Sequence, residues 1–349
     1  MSNQSTVLIL INWLQGNKEW SVRKVFENRF HKVDLLGVNM PTSASNRLQT
    51  ILNEWPSYLK LAWLGFFQGK KYDVFIDYTC IAGLFLGIFY SLVPFINRPK
   101  IILLKFVYIE RDNKLYGKLR YLFFRWGLTS VDLAICSSLA EAQRHPKYFN
   151  SDPKKFVFIP FGIDSSMVEQ FRVTADAQGK YIFAAGFSNR DYPTFINAVS
   201  SVDMPVVVVA KKYNLDGCQI PPHVQVFYDI SRQEYYDKLQ NAAFVVIPIN
   251  DPTVSAGQLL ALEAMYFGKP VIATKTQGLI DYIEDGYSGL LVTPSNVESM
   301  RKAILELKNN PRRARNISAT GQAVVKNKFN VENFANSLAD YAIDVIDQN

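Results

Sequence analysis

Between Val245 and Thr274 the chain reads VVIPINDPTVSAGQLLALEAMYFGKPVIAT, and that order of residue types leaves little choice of fold. The run Ala243–Ile249 is apolar and rich in β-branched residues, the mark of a strand buried on both faces. Pro252 and Gly257 break it. Ser255 and Gln258 stand at the S-x-x-Q spacing of a capping box. A helix is expected over Ala256–Phe267, stopped by Gly268 with Pro270 just beyond. Val271–Ala273 opens the next strand. Free N–H groups and the helix dipole point the same way at such a helix start, so the loop before it is suited to an anion.

Glu263 lies seven positions after Ala256, near two full helical turns, so it shares a face with the expected first residue. A carboxylate there suits ribose hydroxyls if a diphosphate sits at the helix start. A solvated glutamate, or one paired with a lysine, fits the spacing as well.

The rest of the chain repeats the alternation of strand and helix. Strands are expected at Thr6–Ile11, Lys32–Val38, Tyr72–Tyr78, Lys100–Ile109 and Val131–Cys136, then at Tyr181–Ala185, Val206–Ala210 and Val224–Tyr228. Helical patterns lie between them. Arg47–Phe67 is one, interrupted at Pro56, and Ile81–Ile96 is almost wholly apolar. The latter is shorter than the roughly 20 residues a bilayer needs, so it reads as a buried helix or a shallow membrane contact. Lys114–Leu128 interleaves basic and aromatic residues. It suits a lipid headgroup layer, or basic tips snorkelling off a packed helix. Base stacking is the weakest reading, because no nucleic-acid motif accompanies it. Glu110, Arg111 and Asp112 follow the fourth strand, at the strand ends where ligands bind in open α/β folds, so these charges are the candidates for ligand handling in the first half, Glu110 foremost. A polar turn explains the same three residues.

The length of 349 residues suits two domains, and 48% hydrophobic with 20% charged residues suits a large core. Cys80, Cys136 and Cys218 are odd in number and scattered, which argues for a reducing compartment and against a disulfide framework or a metal site. The N-terminus has no basic segment before its first strand, so no signal peptide is expected. The net charge of +7 is uneven: residues 1–175 carry +9 and the remainder −2. A basic first half suits a phosphate-bearing acceptor or an acidic membrane surface, or serves solubility alone.

The segment around Glu263 resembles the donor-site signature of the retaining GT-B glycosyltransferases of family four. In that pattern a Glu is followed, after seven residues, by a second Glu and a helix ending in Gly-x-Pro-Val. Glu263 falls on the second Glu, and Ser255 stands at the first. Gln277–Asn296 (QGLIDYIEDGYSGLLVTPSN), with Gly278, and Phe156–Asp164 (FVFIPFGID) also resemble the family. In the loop Gly186–Asp191 (GFSNRD), Arg190 takes the family's lysine position and Phe187 its arginine position. The likeness is strong over about Phe156–Asn310.

The resemblance implies an α/β GT-B fold of two Rossmann-like doubly wound domains facing a cleft. Residues 1–175 would bind acceptor, 176–330 would bind nucleotide sugar, and 331–349 would be a helix crossing back. It implies transfer of a sugar from a nucleotide diphosphate sugar to an acceptor hydroxyl, with retention. Arg190, Ser188, Ser255, Gly257, Gln258 and Gly278 would meet the donor, Glu263 would hold its ribose, and Asp229–Ser231 would border the base. Asn12 and Gly16, in the first loop, would help hold donor or acceptor. No metal or cofactor is expected. The acceptor would be a saccharide or lipid-linked saccharide in cell-surface polysaccharide or glycolipid assembly, at the cytoplasmic side of a membrane. Ser255 and Phe187 keep a lapsed, scaffolding GT-B protein open. An epimerase or phosphorylase of the same fold is a further alternative.

Overall fold

A computed structural model of the chain describes residues 3–12, 21–39, 47–110, 115–172 and 179–348. It divides into two compact units, Met1–Ile159 with Phe334–Asn349, and Pro160–Asn333.

In the first unit, β1 (Asn3–Ile11), α1 (Ser21–Arg29), β2 (Phe30–Gly37), α2 (Arg47–Gln68), β3 (Val74–Asp77) and α3 (Ile81–Leu92) lead to β4 (Lys100–Phe106), α4 (Leu115–Gly127), β5 (Leu133–Cys136), α5 (Leu139–Phe149) and β6 (Phe156–Phe158). The six strands form one parallel sheet in the order β2-β1-β3-β4-β5-β6. Its central strands are mostly apolar and buried, as expected of a parallel sheet covered on both faces; the buried Asp77 at the end of β3 is an exception. Two sequence expectations change. α2 runs through Pro56 without ending, since packing against α3 outweighs the one lost backbone bond. α3 is apolar as expected but ends at Leu92, before Pro94, rather than at Ile96. Ser138 caps α5, accepting from Glu141 N at 3.2 Å, while the Glu141 carboxylate accepts from Ser137 N.

The second unit contains α6 (Ser165–Glu169), β7 (Ile182–Ala185), α7 (Tyr192–Val199), β8 (Val206–Val209), β9 (Val224–Phe227), α8 (Arg232–Gln240) and β10 (Phe244–Ile247). These are followed by α9 (Gln258–Tyr266), β11 (Val271–Thr274), β12 (Leu290–Val292), α10 (Val297–Asn309) and α11 (Pro311–Lys328). Its sheet is also parallel, in the order β12-β11-β10-β7-β8-β9. The final helix, α12 (Val331–Asp347), begins at the end of this unit, and from Phe334 it groups with the first. There Asp340 pairs with Arg29 of α1 at 2.5 Å.

The division at Ile159/Pro160 precedes the expected boundary near residue 175. The polar stretch after Asp164 looks like a linker in sequence, yet it docks on the second unit. The Tyr266 hydroxyl donates to Glu169 at 2.5 Å, Gln240 Nε2 donates to the Phe171 carbonyl at 2.8 Å, and Phe171 stacks on Tyr236.

Candidate functional site

In the second unit the chain runs β7, β8, β9 outward, then returns to place β10, β11 and β12 on the other side of β7. The loops after β7 and β10 therefore leave neighbouring strands in opposite directions. In parallel sheets the crevice at such a switch point is where ligands bind. Both loops carry residues singled out by sequence.

Asn189 stitches them together. Its side chain donates to the Asp251 carbonyl and accepts from Asp251 N, each at 2.9 Å. Arg190 pairs by its backbone with Ile249. Its side chain folds back over the loop, with Nε donating to the Ala185 carbonyl at 3.0 Å and Nη1 to the Ser188 carbonyl at 2.7 Å. The adjacent carboxylate of Asp191 does not pair with this guanidinium. Asp191 instead caps α7 by accepting from Thr194 N at 3.1 Å. Among the described residues no carboxylate pairs with Arg190, although burial draws its pKa below the usual arginine value. A guanidinium stays charged under such conditions, so it is a cation short of a counter-charge.

The loop after β10 ends differently from the sequence expectation. Gly257, not Ser255, is the N-cap of α9, and the helix starts at Gln258 rather than Ala256. Gly257 holds φ +90°, and a Cβ there would come within 2.8 Å of Ile247 Cγ2. The backbone needs the left-handed conformation to turn into the helix against β10, and glycine supplies it without strain. The Ser255–Gln258 capping box is therefore absent. Ser255, Gln258 and Gly278 are nonetheless neighbours: a Cβ on Gly278 would lie 2.8 Å from Gln258 Nε2 and from Ser255 Cα. Gln258 is buried, and its Nε2 has no hydrogen-bond partner among the described residues. Buried amides are rarely left so, and two donors thus remain open beside a helix start.

Glu263 is neither solvated nor paired with a lysine. It is 6% exposed and accepts from the Tyr235 hydroxyl at 2.6 Å and the Tyr236 hydroxyl at 2.7 Å. Burial raises its pKa, and the two hydroxyls and Arg232 oppose the rise. Sequence reasoning missed both tyrosines. The available signal was Ser231–Glu234, the S-x-x-E box that does cap α8; with that helix start, Tyr235 and Tyr236 fall in its second turn.

Ser188 is exposed in the same loop. The Asp229 side chain pairs with Lys211 across the ends of β8 and β9. Gly16, Arg111 and Asp112 lie outside the described residues, and Glu110 is exposed after β4 in the first unit. Among the described residues no three His, Cys, Asp or Glu converge as a metal site.

Residues 210–324 match the family model described as glycosyl transferases group 1. An uncharacterized glycosyltransferase of Methanocaldococcus jannaschii is 32% identical over 110 residues, which is 32% of this chain and 30% of that protein. The chain thus matches about a third of the length of its curated relative. Sucrose-phosphate synthase from Thermosynechococcus elongatus aligns with 99% of this chain and 100% of its own, at TM-score 0.73 and 14% identity. Anabaena Alr3699/HepE in complex with UDP-glucose aligns with 98% of this chain and 100% of its own, at TM-score 0.66 and 15% identity.

Two parallel six-stranded sheets, each flanked by helices, in a chain that aligns over nearly its whole length with such structures, define the GT-B fold. The segment that holds α8, α9 and Gly278 is the part that matches the glycosyl transferases group 1 model.

Proposed function

We propose that the chain is a glycosyltransferase that moves a sugar from a nucleotide diphosphate sugar to an acceptor hydroxyl, with retention of configuration. The observation that carries the reading is Arg190, held at the switch point without a carboxylate partner among the described residues, in the loop that Asn189 ties to the β10–α9 connection. The diphosphate would take Arg190 and the amides at Gly257, Gln258 and Gly278. As the bond to the sugar breaks, negative charge grows on the leaving phosphate, and these preorganised donors stabilise it. One arginine can hold two phosphate oxygens at once, which suits a loop carrying Phe187 where the resembling family has a second cation.

Glu263 would hold the ribose. Each of its oxygens already accepts one tyrosine hydroxyl and has a lone pair left, so the sugar hydroxyls would join or displace Tyr235. No metal is invoked. Anabaena Alr3699/HepE, whose fold this chain shares, is known in complex with UDP-glucose, which supports a nucleotide sugar of that kind as donor. Glu110 would contact the acceptor, a saccharide or lipid-linked saccharide in cell-surface polysaccharide or glycolipid assembly. The basic first half supports placement at an anionic membrane surface on the cytoplasmic side.

Ser255 in place of the family's first glutamate favours a second reading, a protein that binds donor without turning it over. The test is a thermal-shift titration with UDP, GDP, ADP and dTDP on wild type and Arg190→Gln, followed by turnover of the matching nucleotide sugars. One nucleotide should raise the melting temperature of wild type far more than that of the variant. No shift with any of them removes the donor site. A shift without turnover leaves the binding reading.

A further inference from the structure

Helices on a parallel sheet normally turn polar residues outward. The layer formed by α2, α3 and α4 does the reverse. On α4, Leu115, Leu119, Leu122 and Trp126 recur at helical spacing, and Leu119 and Leu122 are 57% and 55% exposed. The opposite side of α4 is packed through Gly117, Phe124 and Gly127. Both faces of this helix are therefore apolar, and only one has a partner in the fold. On α2, Trp63 and Phe67 are 54% and 65% exposed. Just past α3, Phe95 is 83% exposed.

These residues form one surface. α3 lies between the other two helices: the Trp55 ring of α2 contacts Phe85 of α3 and Phe123 of α4. The Trp63 ring stands edge-on to Phe89 of α3, 5.9 Å between centroids, and the Trp126 indole N–H donates to Ser91 Oγ at 2.8 Å. Two exposed tryptophans are thus held on either side of α3.

The charge around the surface has one sign. α3 and α4 contain no Asp or Glu, and α2 contains only Glu54, which accepts from the Tyr58 hydroxyl. Lys60, Lys70, Lys118 and Arg125 are exposed on α2, at its end, and on α4.

We propose that the outward face of α2, α3 and α4 is a docking surface for an anionic lipid bilayer, lying in the headgroup layer. Exposed leucines with tryptophans and a basic margin are the chemistry that partitions there. A second copy of the chain fits less well, because a two-fold contact through this face would set its lysines and arginines against themselves. None of the described helices is long and apolar enough to cross a membrane, so the contact is peripheral. The proposal deepens the membrane placement given above and needs no transfer activity.

The test is co-sedimentation of the full chain with vesicles of phosphatidylcholine alone and of phosphatidylcholine mixed with phosphatidylglycerol. Wild type should sediment with the mixed vesicles at low salt and be released as salt rises. Leu119→Glu/Leu122→Glu should abolish binding. Lys118→Gln/Arg125→Gln should weaken it roughly thirtyfold, since each of the two basic side chains near the surface adds about 1 kcal/mol. Melting temperatures of both variants, and the shift given by nucleotide, should match wild type; these controls report on the donor site separately. Absence of wild-type binding to mixed vesicles would overturn the proposal. So would leucine variants that bind as wild type. Analytical ultracentrifugation without lipid covers the other occupant: a wild-type dimer that the leucine variant dissolves assigns the face to a second copy instead.

Discussion

Three residues hold most of the testable chemistry. Arg190→Gln keeps a donor in the loop but removes the charge, and a charged hydrogen bond contributes about 1.5–3 kcal/mol. Nucleotide diphosphate affinity should fall roughly ten- to a hundredfold by calorimetry, with the fold intact by circular dichroism. Glu263 is tied by two hydroxyls, so Tyr236→Phe leaves one buried carboxylate oxygen short of a donor. That should cost about 1–3 kcal/mol of stability in urea unfolding. His145 is 1% exposed, packed edge-on to Phe106, and its Nε2 has no partner among the described residues. Burial, aided by the Arg144 charge, lowers its pKa from 6.5 to about 4. The unfolded chain therefore takes up this proton first as pH falls, and the folded state loses stability from pH 6.5 down toward 4. The full effect is roughly 3 kcal/mol. His145→Phe should flatten that part of the stability-against-pH curve; an unchanged curve would show that His145 does not carry it. Glu263 and Arg190 were legible as positions in the sequence. Their partners were not, because the tyrosines lie 27 and 28 positions away from Glu263 and meet it only when α8 packs beside α9.

At the scale of elements, two glycines decide how parts meet. Gly257→Ala would force a side chain into φ +90° and onto Ile247. It should destabilise the second unit by about 1–3 kcal/mol and weaken nucleotide binding with it. Gly87 of α3 lies so close to α4 that a Cβ would sit 2.0 Å from the Gly127 carbonyl oxygen. Gly87→Ala should therefore cost about as much or more by overpacking, and vesicle binding should fall along with the melting temperature as the helix layer is pushed apart. Helix positions were readable from periodicity, but helix starts less so. An S-x-x-Q pattern at Ser255 pointed to a cap that the backbone turn at Gly257 displaced, whereas Ser231, expected only to border a base, forms the box with Glu234.

Across the whole molecule, the two units have different chemistry. The first half of the sequence carries the positive charge and the exposed apolar helix face; the second unit carries the residues proposed to bind donor at its switch point. Hydrogen exchange on the full chain should reflect that separation. The matching nucleotide should protect amides around residues 186–191, 250–258 and 278, and anionic vesicles should protect α2 and α4. Nucleotide protection confined to the first unit would contradict the donor assignment.

The sequence by itself determined the class of fold. Continuous β-branched runs must be buried on both faces, and only a parallel sheet wrapped by helices does that for so many short strands. It also located the loops at the second sheet's switch point, because Gly, Pro and polar residues break the pattern there. Only the tertiary structure decided which side chains meet. It drew the stretch after Asp164 onto the second unit, gave Glu263 its two tyrosines, and left one face of α4 outward as apolar as the face it buries. The reason is range: periodicity reports each residue's immediate neighbours along the chain, whereas partners and exposure depend on elements that approach from elsewhere in it.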